Sequence, residues 1–94
     1  MRELIAAEPA LGERLHPRLP YLAVQVVWGV RHEFARTVED ILARRTRGLF
    51  LDARAAIEAA PTVAKLMQEE LGQSPEWTAE QIRQFESLAA GYLL

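Results

Sequence analysis

The chain is predicted to be all-α, a single small domain of four to five packed helices. Three observations carry this expectation. Apolar residues recur at helical spacing in the second half, with Val63, Leu66, Met67 and Leu71 on one stripe. Helix start and stop residues punctuate the chain at Thr37, Asp52 and Ser74 and at Gly48 and Gly72. One segment alone alternates like a strand, and it has few strand partners elsewhere. The length, 94 residues, suits one domain, and a half-hydrophobic composition suits one core.

Residues 1–20 read as a lead-in segment or linker, broken by Pro9, Gly12, Pro17 and Pro20, with room for a short helix over Glu3–Ala7. Residues 21–94 form the helical domain. Within 21–34, Val24, Val26, Trp28 and Val30 alternate as in a strand, while Ala23, Val27, Val30 and Phe34 keep helical spacing. The shortage of strand partners favours a buried helix.

The next helix starts at Thr37, an N-cap with Asp40 three residues on. Glu39 and Asp40 suit the positive end of its dipole and Arg44, Arg45 and Arg47 the negative end, with Gly48 as the stop. Asp52 caps a run from Ala53 to Ala60, and Pro61 either kinks this run or opens a new helix. Ser74-Pro75-Glu76 starts the last helix, whose expected buried stripe is Ile82, Phe85, Leu88, Ala89 and Tyr92.

A search for chemistry returns mostly structural readings. There is no cysteine, hence no thiol nucleophile, disulfide or zinc–thiolate site. His16 and His32 belong to no ligand spacing and read as surface residues. The five glycines are scattered, with no dinucleotide or phosphate-binding fingerprint, and neither serine lies in a nucleophile elbow. Glu69 and Glu70 diverge by about 100° on a helix and read as a solvated face. The predicted catalytic, cofactor-binding and metal sites are therefore none. Tyr21 to Val30, interrupted by Gln25, is about half the length of a membrane-spanning helix, and no signal peptide is visible.

Charge is more informative by region. Residues 31–54 carry six Arg against four acids, and residues 55–94 carry six Glu against Lys65 and Arg83. The dense group is Arg31, Arg36, Arg44, Arg45, Arg47 and Arg54. Arginine holds carboxylates and phosphates in bidentate fashion. Pairing of Asp40 with Arg44, and of Arg36 with Glu39 or Asp40, is the ordinary alternative. Three arginines within four residues exceed what the dipole requires, and they are the candidate docking group. Of the aromatics, Trp77 is the expected exposed anchor, and nothing interleaves aromatics with basic residues as a nucleic-acid platform would need.

The stretch Val30 to Ala56, VRHEFARTVEDILARRTRGLFLDARAA, resembles the C-terminal domain of FAD-dependent glycerol-3-phosphate dehydrogenases and the related glycerophosphate oxidases. The carriers are Val30-Arg31, Glu33, Ala35, Thr37, Asp40, Leu42, Arg44-Arg45-Thr46-Arg47 and Asp52. The flanks Pro20-Tyr21 and Val63 to Gly72 are similar as well. The resemblance implies a parent enzyme that oxidises sn-glycerol 3-phosphate to dihydroxyacetone phosphate, passing electrons through FAD to quinone, or to oxygen in the oxidases. It implies a non-catalytic helical C-terminal cap over residues 21–94, whose partner is the N-terminal flavoprotein portion of the same chain. FAD and the catalytic residues belong to that portion, and this fragment alone is expected to be inactive. The docking group would be Arg44, Arg45 and Arg47, supported by Thr37, Asp40 and Asp52. The resemblance further implies a cytoplasmic domain on a parent held peripherally at the inner face of the bacterial cell membrane, and it admits a homo-oligomer. Nucleic acid is not an expected partner. The competing reading is a small helical DNA-binding or regulatory domain, with two short helices around Gly48 imitating a helix-turn-helix. The acidic C-terminal half opposes it.

Overall fold

The computed structural model describes residues 2–92 apart from Arg47, with the backbone alone for Arg2 and Arg45. Helix α1 spans Arg2–Ala7 and is followed by a 3₁₀ turn, Pro9–Gly12. An isolated antiparallel bridge, Arg14 to Leu22, then folds the chain back, with Leu15 N–H donating to Tyr21 O at 2.9 Å. Residues 1–20 supply Leu11, Leu15 and Leu19 to the same buried cluster as the later helices.

Helix α2 covers Ala23–His32 and settles the strand-or-helix question in favour of helix. The Gln25 side chain reaches back to accept from Leu22 N–H at 2.7 Å, satisfying a donor at the helix start. Val24, Val26, Val27 and Val30 are buried, so both expected periodicities end in the core. Phe34 does not: it sits past the helix end in a left-handed conformation, φ 61°, with 79% of its surface exposed. Helical spacing fails there because the helix has already stopped.

The expected Thr37 helix begins where predicted, but its body is a π-helix, Asp40–Arg45. Thr46 N–H donates to Ile41 O at 2.9 Å, five residues back. Gly48 is not its stop. It opens the one-turn helix α3, Gly48–Leu51, where Gly48 and Leu49 are buried. The wider π turn ends itself at Thr46, leaving Gly48 free to start the next element.

Helix α4 runs unbroken over Ala53–Leu71, with Pro61 inside it. Pro61, which has no N–H to donate to the carbonyl four residues back, lies on the exposed side of the helix. Asp52 caps the start, accepting from Ala55 N–H at 2.9 Å, and Gly72 ends the helix at φ 67°, the left-handed cap that favours glycine. Helix α5, Pro75–Ala89, is capped by Ser74, which accepts from Trp77 N–H at 3.2 Å, and a 3₁₀ turn, Ala90–Tyr92, follows.

The buried face of α5 is Gln81, Phe85 and Ala89 with Ile82 at its edge, while Leu88 and Tyr92 are exposed. The expected stripe was thus one strip too wide. Residues four apart on α5 stay on the face toward α4, and Leu88 has rotated off it. Trp77 is half-buried and packs against the core, so it is not the exposed anchor expected of it. The core is nearly all aliphatic, with Phe85 its largest fully buried side chain and small residues such as Ala55, Ala59 and Ala60 letting neighbours approach α4 closely. Gly29 does the same for α2, where an added Cβ would meet Ile41 Cδ1 at 3.1 Å. No helix among the described residues is long and apolar enough to cross a membrane.

Candidate functional site

The region singled out by the arginines is organised by a reciprocal cap. Asp40 N–H donates to Thr37 Oγ1 at 3.1 Å, and Asp40 Oδ2 accepts from Thr37 N–H at 3.1 Å and Arg36 N–H at 2.9 Å. Asp40 therefore holds the turn into the π-helix and has only its other oxygen left for a cation.

Arg44 takes that position. Its Nη1 lies 3.6 Å from Asp40 Oδ1 and its Nη2 donates to Glu39 Oε2 at 3.4 Å, with the side chain 69% exposed. These are long, solvated contacts of small energetic value. The backbone of Arg45 lies on the same π turn, while its side chain and all of Arg47 fall outside the described residues.

Arg36 was expected to meet Glu39 or Asp40. Its side chain turns instead to backbone carbonyls, donating to Ala35 O at 2.8 Å and Val30 O at 3.2 Å, and its guanidinium lies 6.0 Å from the Phe34 ring centre. It satisfies the carbonyl left at the end of α2.

Arg31 leaves the group altogether. It makes a two-pronged contact with Glu70 on α4, at 2.6 and 3.2 Å, at the rim of a cavity of about 180 Å³ between α1, α2 and α4. Arg31, Arg36 and Arg44 thus turn to three different sets of partners.

Three further polar residues matter: Thr46, which the sequence marks only as part of the motif that carries the resemblance, and Gln81 and Glu58, which it does not single out. Thr46, almost fully buried, donates through Oγ1 to Ile41 O at 2.8 Å and accepts from Gly48 N–H at 3.2 Å. Gln81 reaches from α5 to accept from Val38 N–H at 3.1 Å, tying the last helix to the start of the π segment. The signal for Gln81 was present, a polar residue in line with Phe85 and Ala89. Glu58 accepts from His16 Nε2 at 2.6 Å, while His16 Nδ1 accepts from Arg18 N–H at 3.1 Å, so His16 joins the lead-in loop to α4 rather than lying loose on the surface. His32 stacks on Trp28, with ring centres 4.1 Å apart.

Beside the His16–Glu58 contact, Arg18 Nε donates to Asp52 Oδ2 at 2.9 Å. Asp52 is held below the usual carboxylate range by its bond from Ala55 N–H and then by Arg18. Glu58 is lowered likewise, chiefly by the His16 hydrogen bond.

The polar contacts of these residues tie neighbouring parts of the fold together. Among the described residues no group of three or more His, Asp or Glu is placed to hold a metal. The glycines neither cluster nor line a phosphate cradle: Gly29 faces Ile41, and Gly72 caps α4. These positions do not fit a dinucleotide such as FAD. The helix-turn-helix alternative is not favoured, because α3 is a single turn whose Gly48 and Leu49 are buried and cannot enter a groove.

Comparison with known proteins decides the family. The family model for the C-terminal domain of alpha-glycerophosphate oxidase matches residues 1–81.

The chain belongs to this family of C-terminal domains.

Among curated proteins it is 47% identical over 78 residues to "Probable glycerol-3-phosphate dehydrogenase, mitochondrial" of Caenorhabditis elegans, covering 83% of this chain and 10% of the relative. It is 38% identical over 87 residues to the mitochondrial glycerol-3-phosphate dehydrogenase of Homo sapiens, covering 89% of this chain and 12% of the relative. The protein of the same name from Rattus norvegicus is 42% identical over 66 residues, 70% of this chain and 9% of the relative. The chain thus spans about a tenth of the length of these relatives. No solved structure matches it.

The relatives bear on location too. Their names place them in mitochondria, which corrects the expectation of a cytoplasmic domain at the bacterial cell membrane. Core packing and capping, from which a helical domain is recognised, carry no information about compartment.

Proposed function

We propose that this alpha-glycerophosphate-oxidase-type C-terminal domain is the non-catalytic helical cap of an FAD-dependent glycerol-3-phosphate dehydrogenase. In that enzyme sn-glycerol 3-phosphate is oxidised to dihydroxyacetone phosphate and electrons pass by way of FAD to quinone. The observation that carries the reading is the family match over residues 1–81, in a chain that spans about a tenth of its relatives. The remaining nine-tenths of such a parent would hold the flavin and the substrate. The domain packs against that larger N-terminal portion, and residues 1–20, which supply Leu11, Leu15 and Leu19 to its core, belong to the cap together with 21–94. Arg44, Arg45 and Arg47, with Thr37, Asp40 and Asp52 as structural support, are the proposed docking residues.

The test is to titrate the purified 94-residue chain into the parent flavoprotein portion lacking its cap. Binding is followed by calorimetry and glycerol-3-phosphate-dependent dye reduction is followed in parallel. Binding with restored or raised turnover supports the reading. Absence of both, with each piece shown to be folded, refutes a cap that completes the enzyme by association. Turnover by the 94-residue chain alone would refute its non-catalytic role.

A further inference from the structure

We draw no further inference here: the strongest candidate, the cavity of about 180 Å³ between α1, α2 and α4 that is lined by Leu4, Val27 and Leu66 and by the charged Glu8, Arg31, Glu69 and Glu70, carries nothing, because its charged lining is an acidic cluster crossed by the Arg31–Glu70 ion pair and nothing in the structure shows what would fill it.

Discussion

Replacing Thr46 by Val tests whether the π turn is held by a side chain rather than by its backbone alone. The threonine is 3% exposed, and its hydroxyl spans the end of the turn, donating to Ile41 O at 2.8 Å and accepting from Gly48 N–H at 3.2 Å. Valine keeps the shape and deletes both bonds. The two losses are unequal. Ile41 O retains the Thr46 backbone N–H at 2.9 Å, whereas the hydroxyl is the acceptor that Gly48 N–H uses in a buried setting. An unsatisfied buried donor costs about 1–3 kcal/mol. For a chain of this length the total stability is on the order of 5–14 kcal/mol at ~0.05–0.15 kcal/mol per residue. At roughly 4–8 °C per kcal/mol, the thermal midpoint should fall by about 5–20 °C. Circular dichroism gives the midpoint, and amide exchange of Gly48 reports the lost bond at its own site. Thr46→Ser is the control: it sacrifices a methyl group but keeps the hydroxyl, so Gly48 should stay protected. A Thr46→Val midpoint within about 2 °C of the parent sequence, with Gly48 protection unchanged, would refute this account of the turn.

Other perturbations probe different layers of the molecule. Phe85→Ala removes the largest fully buried side chain and should destabilise by about 3–5 kcal/mol, measured by urea unfolding; a loss below about 1 kcal/mol would show that α5 packs otherwise. Gly29→Ala brings a Cβ within 3.1 Å of the flexible tip of Ile41 while adding about 1 kcal/mol of helix preference, so the two effects should nearly cancel, whereas the bulkier Gly29→Val should be clearly destabilising. Acid should weaken the fold through Asp52 and Glu58, whose carboxyls are lowered in the folded state. Their contribution is complete above the ordinary carboxylate pKa of about 4 and disappears as pH falls through the lowered folded values. Asp52→Asn should therefore flatten the fall of thermal midpoint between about pH 5 and 2, and an unchanged slope would remove Asp52 from the explanation.

The parts of this fold legible in the sequence are those decided locally. Ser74-Pro75, Asp52 and Gly72 specify helix ends through their own side chains or backbone freedom, and each stands at the boundary its chemistry predicts. The Thr37–Asp40 cap was equally readable. What followed it was not, because the choice between α and π turns depends on whether Thr46 finds a buried position from which to serve Ile41 O and Gly48 N–H together. The α5 stripe was misread for a related reason. Leu88 and Tyr92 have the composition of core residues, but only the packing of α5 against α4 decides that 81, 85 and 89 face inward. His16 and Glu58, 42 residues apart, meet only once the lead-in loop has packed onto α4, which no local pattern announces.

The docking group shows the same division between what a residue can do and what it is free to do. Three arginines within four residues announce a capacity for carboxylates or phosphates, and that capacity is set by composition alone. Availability is set by neighbours. Glu39 and Asp40 lie within reach of Arg44, backbone carbonyls engage Arg36, and Glu70 engages Arg31, so three of the six arginines in the group do local work before any partner arrives. Apolar side chains obey the opposite logic. Phe50 and Leu51 stand three and four residues after Arg47, and an aromatic such as Phe50 reads in the sequence as either a core or an interface residue. In the folded chain they are 52% and 62% exposed, while Leu49 beside them is buried. A charge on a surface is readily balanced by water and neighbouring carboxylates, whereas the exposure of an apolar side chain is decided by how the elements around it pack.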